Sequence, residues 1–282
     1  MSTEILRYAA FTDRGHGGNP AGVVLDARSL TDAAMQQIAA DVGYSETAFV
    51  FPGDDSARSG IRYFSPRAEV DFCGHATIAT AVALAERYGP GSVALETRVG
   101  EVPVETTINE AGELTATLTS APTDIRPVDQ DVLDAALAAL GWRRDDLDPA
   151  FEPHVGFAGN HHLLLGALTR ERLARLAYDF DALGRLMATQ RWTTVHLFWA
   201  ERPTVFHVRN PFPPGGVVED PATGAAAAAF GGYLRALGLV VGDPVVTLHQ
   251  GVDMGRPSLL LIDLSTPGSR IAVTGAANAI AR

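Results

Sequence analysis

The chain contains no lysine: all 22 of its basic residues are arginine, set against 33 acidic ones. A pyridoxal phosphate Schiff base, a class I aldolase imine and a P-loop phosphate clamp each need a lysine amine, so these chemistries are excluded. Cysteine is almost as scarce. Cys73 stands alone and can make neither an internal disulfide nor a four-cysteine zinc or iron–sulfur site, which fits a reducing compartment. Long apolar runs are missing too. The longest bland stretch, Ala225 to Phe230, falls far short of the roughly 20 apolar residues that span a bilayer. The opening residues, MSTEILRYAAFTDRG, carry charges early and lack the apolar core of a signal peptide, so a cytoplasmic protein with no membrane partner is expected. The net charge of −11 repels polyanions, so nucleic acid is not an expected partner.

What is present, 282 residues of which 46% are hydrophobic and 20% charged, has the composition of one large folded domain or two smaller ones. Strand-like and helix-like segments alternate, which points to an α/β or α+β protein. Strands are expected at Ile5 to Phe11, Ser45 to Phe51 and Arg58 to Pro66. Between the first two, Thr31 and Asp32 open an amphipathic helix in which Ala34, Ile38 and Val42 recur at four-residue spacing before Gly43. Gly74 to Tyr88 reads as a helix apolar on nearly every side, and such a helix is buried all round. The second half repeats the plan, with strands at Val195 to Ala200 and Val205 to Val208, a Pro/Gly loop at Asn210 to Gly216, and a helix of small residues at Gly224 to Leu237.

Setting Cys73 against Asp220, an offset of 147, nearly aligns the two buried helices, and Gly100 pairs with Gly251 at a similar offset. The order of strands, loop, helix and glycine turn therefore suggests a degenerate duplication. The proline-containing crossover SAPTDIRPV, residues 120–128, marks the boundary between lobes 1–122 and 123–282, and leaves open a return of the last strand to the first lobe. Two such lobes would form a cleft in which the helix N-termini, with their unpaired N–H groups and partial positive charge, hold a carboxylate.

The residues that could carry chemistry each have a plain structural alternative. Glu46, an acid directly before an apolar strand, is placed to move protons near neutral pH if buried, or is a solvated strand end. His75 sits at the first turn of the buried helix as an acid/base group or a capping residue. Asp220 precedes Pro221, so an N-cap accounts for it as well as a site does. Asn19 is a turn residue before proline, and Cys73 is a helix-start thiol without a second cysteine. Adjacent His161 and His162 point to opposite sides of an extended segment and cannot chelate one metal together, so no metal site is expected. Arg256 holds either a carboxylate or a salt bridge.

Five strings taken together carry a resemblance: GNPAGVV at 18–24, SETAFV at 45–50, FSPRAEVDFCGHATIATA at 64–81, EDPATGAA at 219–226 and HQGVDMGRPS at 249–258. In this order over nearly the whole chain they resemble the phenazine biosynthesis PhzF-like family, relatives of diaminopimelate epimerase. The resemblance implies an α+β fold of two pseudosymmetric lobes, each a mostly antiparallel sheet around a central helix, as a cofactor-independent homodimer. It implies isomerisation of a small carboxylic acid, best represented by trans-2,3-dihydro-3-hydroxyanthranilate, with Glu46 as general acid/base. His75 and Asp220 would orient the substrate or assist the proton, Gly74 and Gly224 would lend backbone N–H groups to its carboxylate, and Asn19 and Cys73 would line the pocket. The two-cysteine racemase chemistry of the epimerase branch is excluded by the single thiol. Ala225 stands where the phenazine enzyme has a serine, which leaves open a different acid of secondary metabolism, and a non-catalytic ligand-binding member is the alternative of another class.

Overall fold

The computed structural model describes residues 3–53, 58–240 and 242–281. Its contacts divide the chain into two units, Met1–Thr119 with Thr274–Arg282, and Ser120–Val273. The last strand thus carries the chain from the second unit back into the first.

In the first unit the buried helix Gly74–Tyr88 is the organising element. From His75 to Ala83 every residue is buried, so no face is left for water and a sheet has to surround it. The strands do so as a ring. Leu6–Thr12 pairs antiparallel with Asn19–Val24, which runs parallel to Glu46–Pro52. That strand is antiparallel to Arg58–Phe64, which is parallel to Ser92–Thr97. Gly100–Ile108 and Leu114–Thr119 continue antiparallel. Ala272–Ala279 pairs with both Leu114–Thr119 and Leu6–Thr12 and closes the circle. Closure removes the free edges that an open sheet exposes. Inside, the Thr77 and Thr80 hydroxyls donate to the carbonyls of Cys73 and Ala76, so the two buried hydroxyls of this apolar helix are satisfied.

Outside the ring lies the helix expected from the Thr31 and Gly43 signals. It spans Asp32–Val42; the Thr31 hydroxyl accepts from the Ala34 N–H, and Gly43 closes it in the left-handed conformation that glycine adopts without strain. Met35 and Ala39 pack on Val24, Ala27, Phe49 and Phe64.

The second unit repeats the pairing order. His154–Phe157 is antiparallel to His161–Gly166, which is parallel to Trp192–Arg202. That strand is antiparallel to Val205–Phe212, which is parallel to Val245–Gln250, itself antiparallel to Ser258–Asp263. Asp124–Pro127 extends the sheet beside His154–Phe157. The sequence antiparallel, parallel, antiparallel, parallel, antiparallel is that of the first unit, so the duplication is written in the ladder as well as in the order of elements. Gly224–Ala236 takes the place of the central helix. Its interior glycines are expensive in helix propensity, about 1 kcal/mol each relative to alanine. Close approach explains them: a Cβ at Gly232 would stand 2.7 Å from Thr123, and one at Gly231 would stand 3.0 Å from Ile271.

Helices Gln130–Leu140 and Phe180–Gln190 cover the other face of this sheet, burying Leu133, Leu137, Leu140, Leu183 and Met187 against Leu163, Leu165, Val195 and Leu197. Strands apolar on both faces, such as LLL at 163–165, follow from this two-sided burial. The Pro/Gly loop expected at Asn210 to Gly216 is shorter than anticipated. Asn210, Pro211 and Phe212 remain in strand because the edge strand Val217–Asp220 pairs back onto them, with a register shift at Pro211. No helix among the described residues is long and apolar enough to cross a membrane.

Candidate active site

Glu46 is the first residue of its strand, half-buried, with Thr47 to Val50 buried behind it. The parallel pairing that puts Glu46 opposite Ala21 brings the strand start to the N-terminal end of the buried helix. There Cys73 is the N-cap, in extended conformation, and Gly74 and His75 form the first turn. Three reactive atoms converge. Glu46 Oε2 lies 3.4 Å from His75 Nε2 and accepts from the Cys73 thiol at 3.5 Å. Cys73 Sγ is 3.4 Å from His75 Nδ1, and Ser45 Oγ is 3.3 Å from His75 Nε2. Cys73 and His75 are buried and the Glu46 side chain is 19% exposed, so Glu46 is the member of the group most open to solvent.

The support beneath this cluster is equally specific. The Thr77 hydroxyl, which holds the Cys73 carbonyl, shares a 2.7 Å hydrogen bond with the hydroxyl of Tyr63, and Tyr63 packs edge-on against Phe72. The phenol is fully buried and its pKa is raised, mainly by that burial. It therefore stays neutral and serves as a fixed hydrogen-bonding post. Gly74, at the start of the helix, contributes one of the first-turn N–H groups that have no partner within the helix.

In the second unit the structure corrects the sequence alignment. The helix begins at Gly224 with Thr223 as N-cap, so an offset of 150, rather than 147, carries the first helix onto the second and Cys73 onto Thr223. Asp220 is consequently not an N-cap. It ends the strand Val217–Asp220 opposite Asn210, and its Oδ2 accepts from the Thr223 hydroxyl at 2.6 Å. The helix starts at Gly224, where its run of small residues predicts it, and only the N-cap role that Pro221 suggested for Asp220 fails. Fully buried Gln250 holds this start in place. Its Oε1 accepts from the Thr223 N–H at 3.1 Å, while its Nε2 donates to the Asp220 carbonyl at 2.7 Å and to the Thr223 hydroxyl at 3.0 Å. Gly224 is buried and Ala225 half-buried in the first helical turn. Thr223 and Gln250 are the residues that sequence reading missed, although both lie inside the strings EDPATGAA and HQGVDMGRPS.

The other candidates are placed as follows. Asn19 is buried at the start of its strand, opposite Ala10. His161 and His162 point to opposite sides, and His162 Nδ1 bonds the Thr194 hydroxyl at 2.8 Å in the core. Arg256 lies in the loop after Gly251, its N–H donating to the Gly251 carbonyl.

The phenazine biosynthesis-like protein family, PhzC-PhzF, matches residues 8–282. The chain belongs to this family. An uncharacterized isomerase of Mesorhizobium japonicum is 34% identical over 95% of this chain and 92% of its own length. A trans-2,3-dihydro-3-hydroxyanthranilate isomerase of Pseudomonas fluorescens is 32% identical, over 86% of this chain and 84% of its own. The crystal structure of a PhzF-family phenazine biosynthesis protein of Bacillus anthracis superposes with a TM-score of 0.87 at 27% identity, covering 100% of this chain and 98% of that one. The protein is an isomerase of α+β fold within that family.

Proposed function

We propose that this PhzC-PhzF member moves a proton within a small cyclic amino- or hydroxy-acid without a cofactor, and that Glu46 is its acid/base. The observation that carries the reading is the convergence of Glu46, Cys73 and His75 at the start of a buried helix. A carboxylate with an accessible face takes a proton from a substrate carbon, and the electron pair left behind shifts along the conjugated system toward the substrate carboxylate. The protonated Glu46 then returns the same proton to another carbon, so one group serves both steps. His75, fixed beside Glu46, orients the substrate's amino or hydroxyl group. Developing negative charge at the substrate carboxylate is matched by the positive end of the helix and the Gly74 N–H.

Asp220 keeps in this reading the role of orienting the substrate or assisting the proton that the family resemblance gives it, and Gly224 and Asn19 keep their substrate-binding roles. The relative from Pseudomonas fluorescens supports trans-2,3-dihydro-3-hydroxyanthranilate as the substrate. Ala225, which removes one hydroxyl, favours as the second reading another unsaturated or cyclic acid handled by the same proton chemistry. A homodimer in the cytoplasm completes the proposal.

The test is incubation with trans-2,3-dihydro-3-hydroxyanthranilate in deuterated water, followed by NMR, with Glu46→Gln alongside. Isomerisation in the wild type and loss of at least about a hundredfold in the variant are expected, the lower end of what a general acid/base contributes. Equal turnover by Glu46→Gln refutes the role of Glu46. No turnover by the wild type refutes this substrate and turns the search to other acids.

A further inference from the structure

The three side chains that face one another at Glu46, Cys73 and His75 are also a donor set for a soft metal ion. Their ligand atoms all lie within 4.8 Å of one another. A tetrahedral zinc ion, with bonds of about 2.0–2.3 Å to oxygen, nitrogen and sulfur, spaces its ligands about 3.3–3.6 Å apart. In the protein the three edges are 3.4 Å from Glu46 Oε2 to His75 Nε2, 3.5 Å from Cys73 Sγ to Glu46 Oε2 and 3.8 Å from Cys73 Sγ to His75 Nε2. These separations match the zinc spacing to within a few tenths of an ångström. We infer that Glu46, Cys73 and His75 bind one zinc ion, which inhibits the enzyme by occupying its acid/base group.

The chemistry of the donors selects the metal. One thiolate, one imidazole and one carboxylate suit zinc or cadmium, whereas magnesium and calcium require oxygen ligands alone. Binding exchanges the thiol proton for the metal: the S–H bond breaks, the proton leaves to solvent, and the sulfur lone pair forms the metal–sulfur bond. Three protein ligands leave a fourth position for water or a substrate carboxylate. The inhibitory consequence rests on the isomerase reading above, because a carboxylate and thiol held by the metal cannot take up or release a substrate proton. The metal site itself does not depend on that reading.

The test uses the untagged, reduced chain with cobalt(II) and zinc(II) salts and no substrate. Cobalt should give a thiolate-to-metal charge-transfer band in the near ultraviolet at one equivalent, absent in Cys73→Ser. By calorimetry zinc should bind one to one, and Glu46→Gln, His75→Asn and Cys73→Ser should each weaken it by at least about tenfold, the least that loss of even an outer-shell partner removes. A wild type without the thiolate band, or unchanged affinity in Glu46→Gln and His75→Asn, overturns the site. Those two variants decide the matter if Cys73→Ser fails to fold by circular dichroism. Turnover and metal binding are read separately. Zinc binding without isomerisation of any acid would sink the functional proposal alone, and Glu46-dependent turnover untouched by zinc would sink this inference alone.

Discussion

Lowering the pH from 8 to 5.5 should destabilise the second unit by about 3 kcal/mol, through two histidines that lie far from any surface. His162 and His196 are both fully buried, and burial lowers their pKa values to about 3 and about 4 respectively, with repulsion from neighbouring histidines adding to the shift at His162. The hydrogen bonds fix the tautomers. The Thr194 hydroxyl donates to Asn210 Oδ1, so His162 Nδ1–H donates to that hydroxyl, and His196 Nδ1–H donates to the same amide oxygen. Each Nε2 faces the core without a hydrogen-bond partner. A second proton on either ring would enter a dry environment with nothing to receive it. In the unfolded chain the same rings titrate near 6.5, so below that pH the unfolded state gains protons that the folded state refuses, and stability falls. It is fully present above about pH 7 and declines until the folded pKa values are reached. At pH 5.5 each ring contributes about 1.4 kcal/mol of loss, one pKa unit's worth. The assay is convenient because Trp142, Trp192 and Trp199 all belong to the second unit, so tryptophan fluorescence during urea unfolding reports on that unit. Within each protein the quantity compared is the difference between the two pH values. His196→Gln should retain about half of it, whatever its stability at pH 8. A wild type equally stable at both pH values, or a full pH effect surviving in His162→Gln/His196→Gln, refutes the reasoning.

Two further perturbations probe the frame around Asp220. Arg209 donates through Nε and Nη2 to both oxygens of Glu219, a buried fork that ties the edge strand ending at Asp220 to its neighbour. Arg209→Ala should cost about 3–5 kcal/mol by stranding the carboxylate, whereas Arg209→Met/Glu219→Leu should recover most of that loss, both measured by urea unfolding. A double variant no better than the single one would rule out the stranded charge as the cause. Gln250→Leu should lose about 2 kcal/mol, because the Thr223 N–H and the Asp220 carbonyl lose their partner, and kcat should drop with it. An unchanged kcat at full folding would show that Asp220 keeps its position without the amide.

How much of this was legible depends on whether the signal was local. The helix Asp32–Val42 was readable to the residue because its start and stop are set by Thr31 and Gly43, neighbours in sequence. The polar core of His162, Thr194, His196 and Asn210 was not, since its members come from three separate strands and sit within stretches whose apolar neighbours dominate the pattern. The same distinction explains the misplaced alignment of the two halves. Asp220–Pro221 carries a local helix-start signal, but the observed start is decided by Gln250, which is far along the chain and becomes a neighbour only when the strand Val245–Gln250 takes its place beside Val205–Phe212. Once the helices are aligned by structure, the duplicated position holds a thiol in one unit and a hydroxyl in the other. Around Cys73 stand a carboxylate and an imidazole; around Thr223 stand a carboxylate and an amide. The repeat has therefore kept the strand order and the helix start, which backbone hydrogen bonding and burial dictate, while the side chains at the helix ends diverged. A repeat read from apolar patterning finds the former and has no access to the latter, because a single side chain at a helix start changes the chemistry without changing the period.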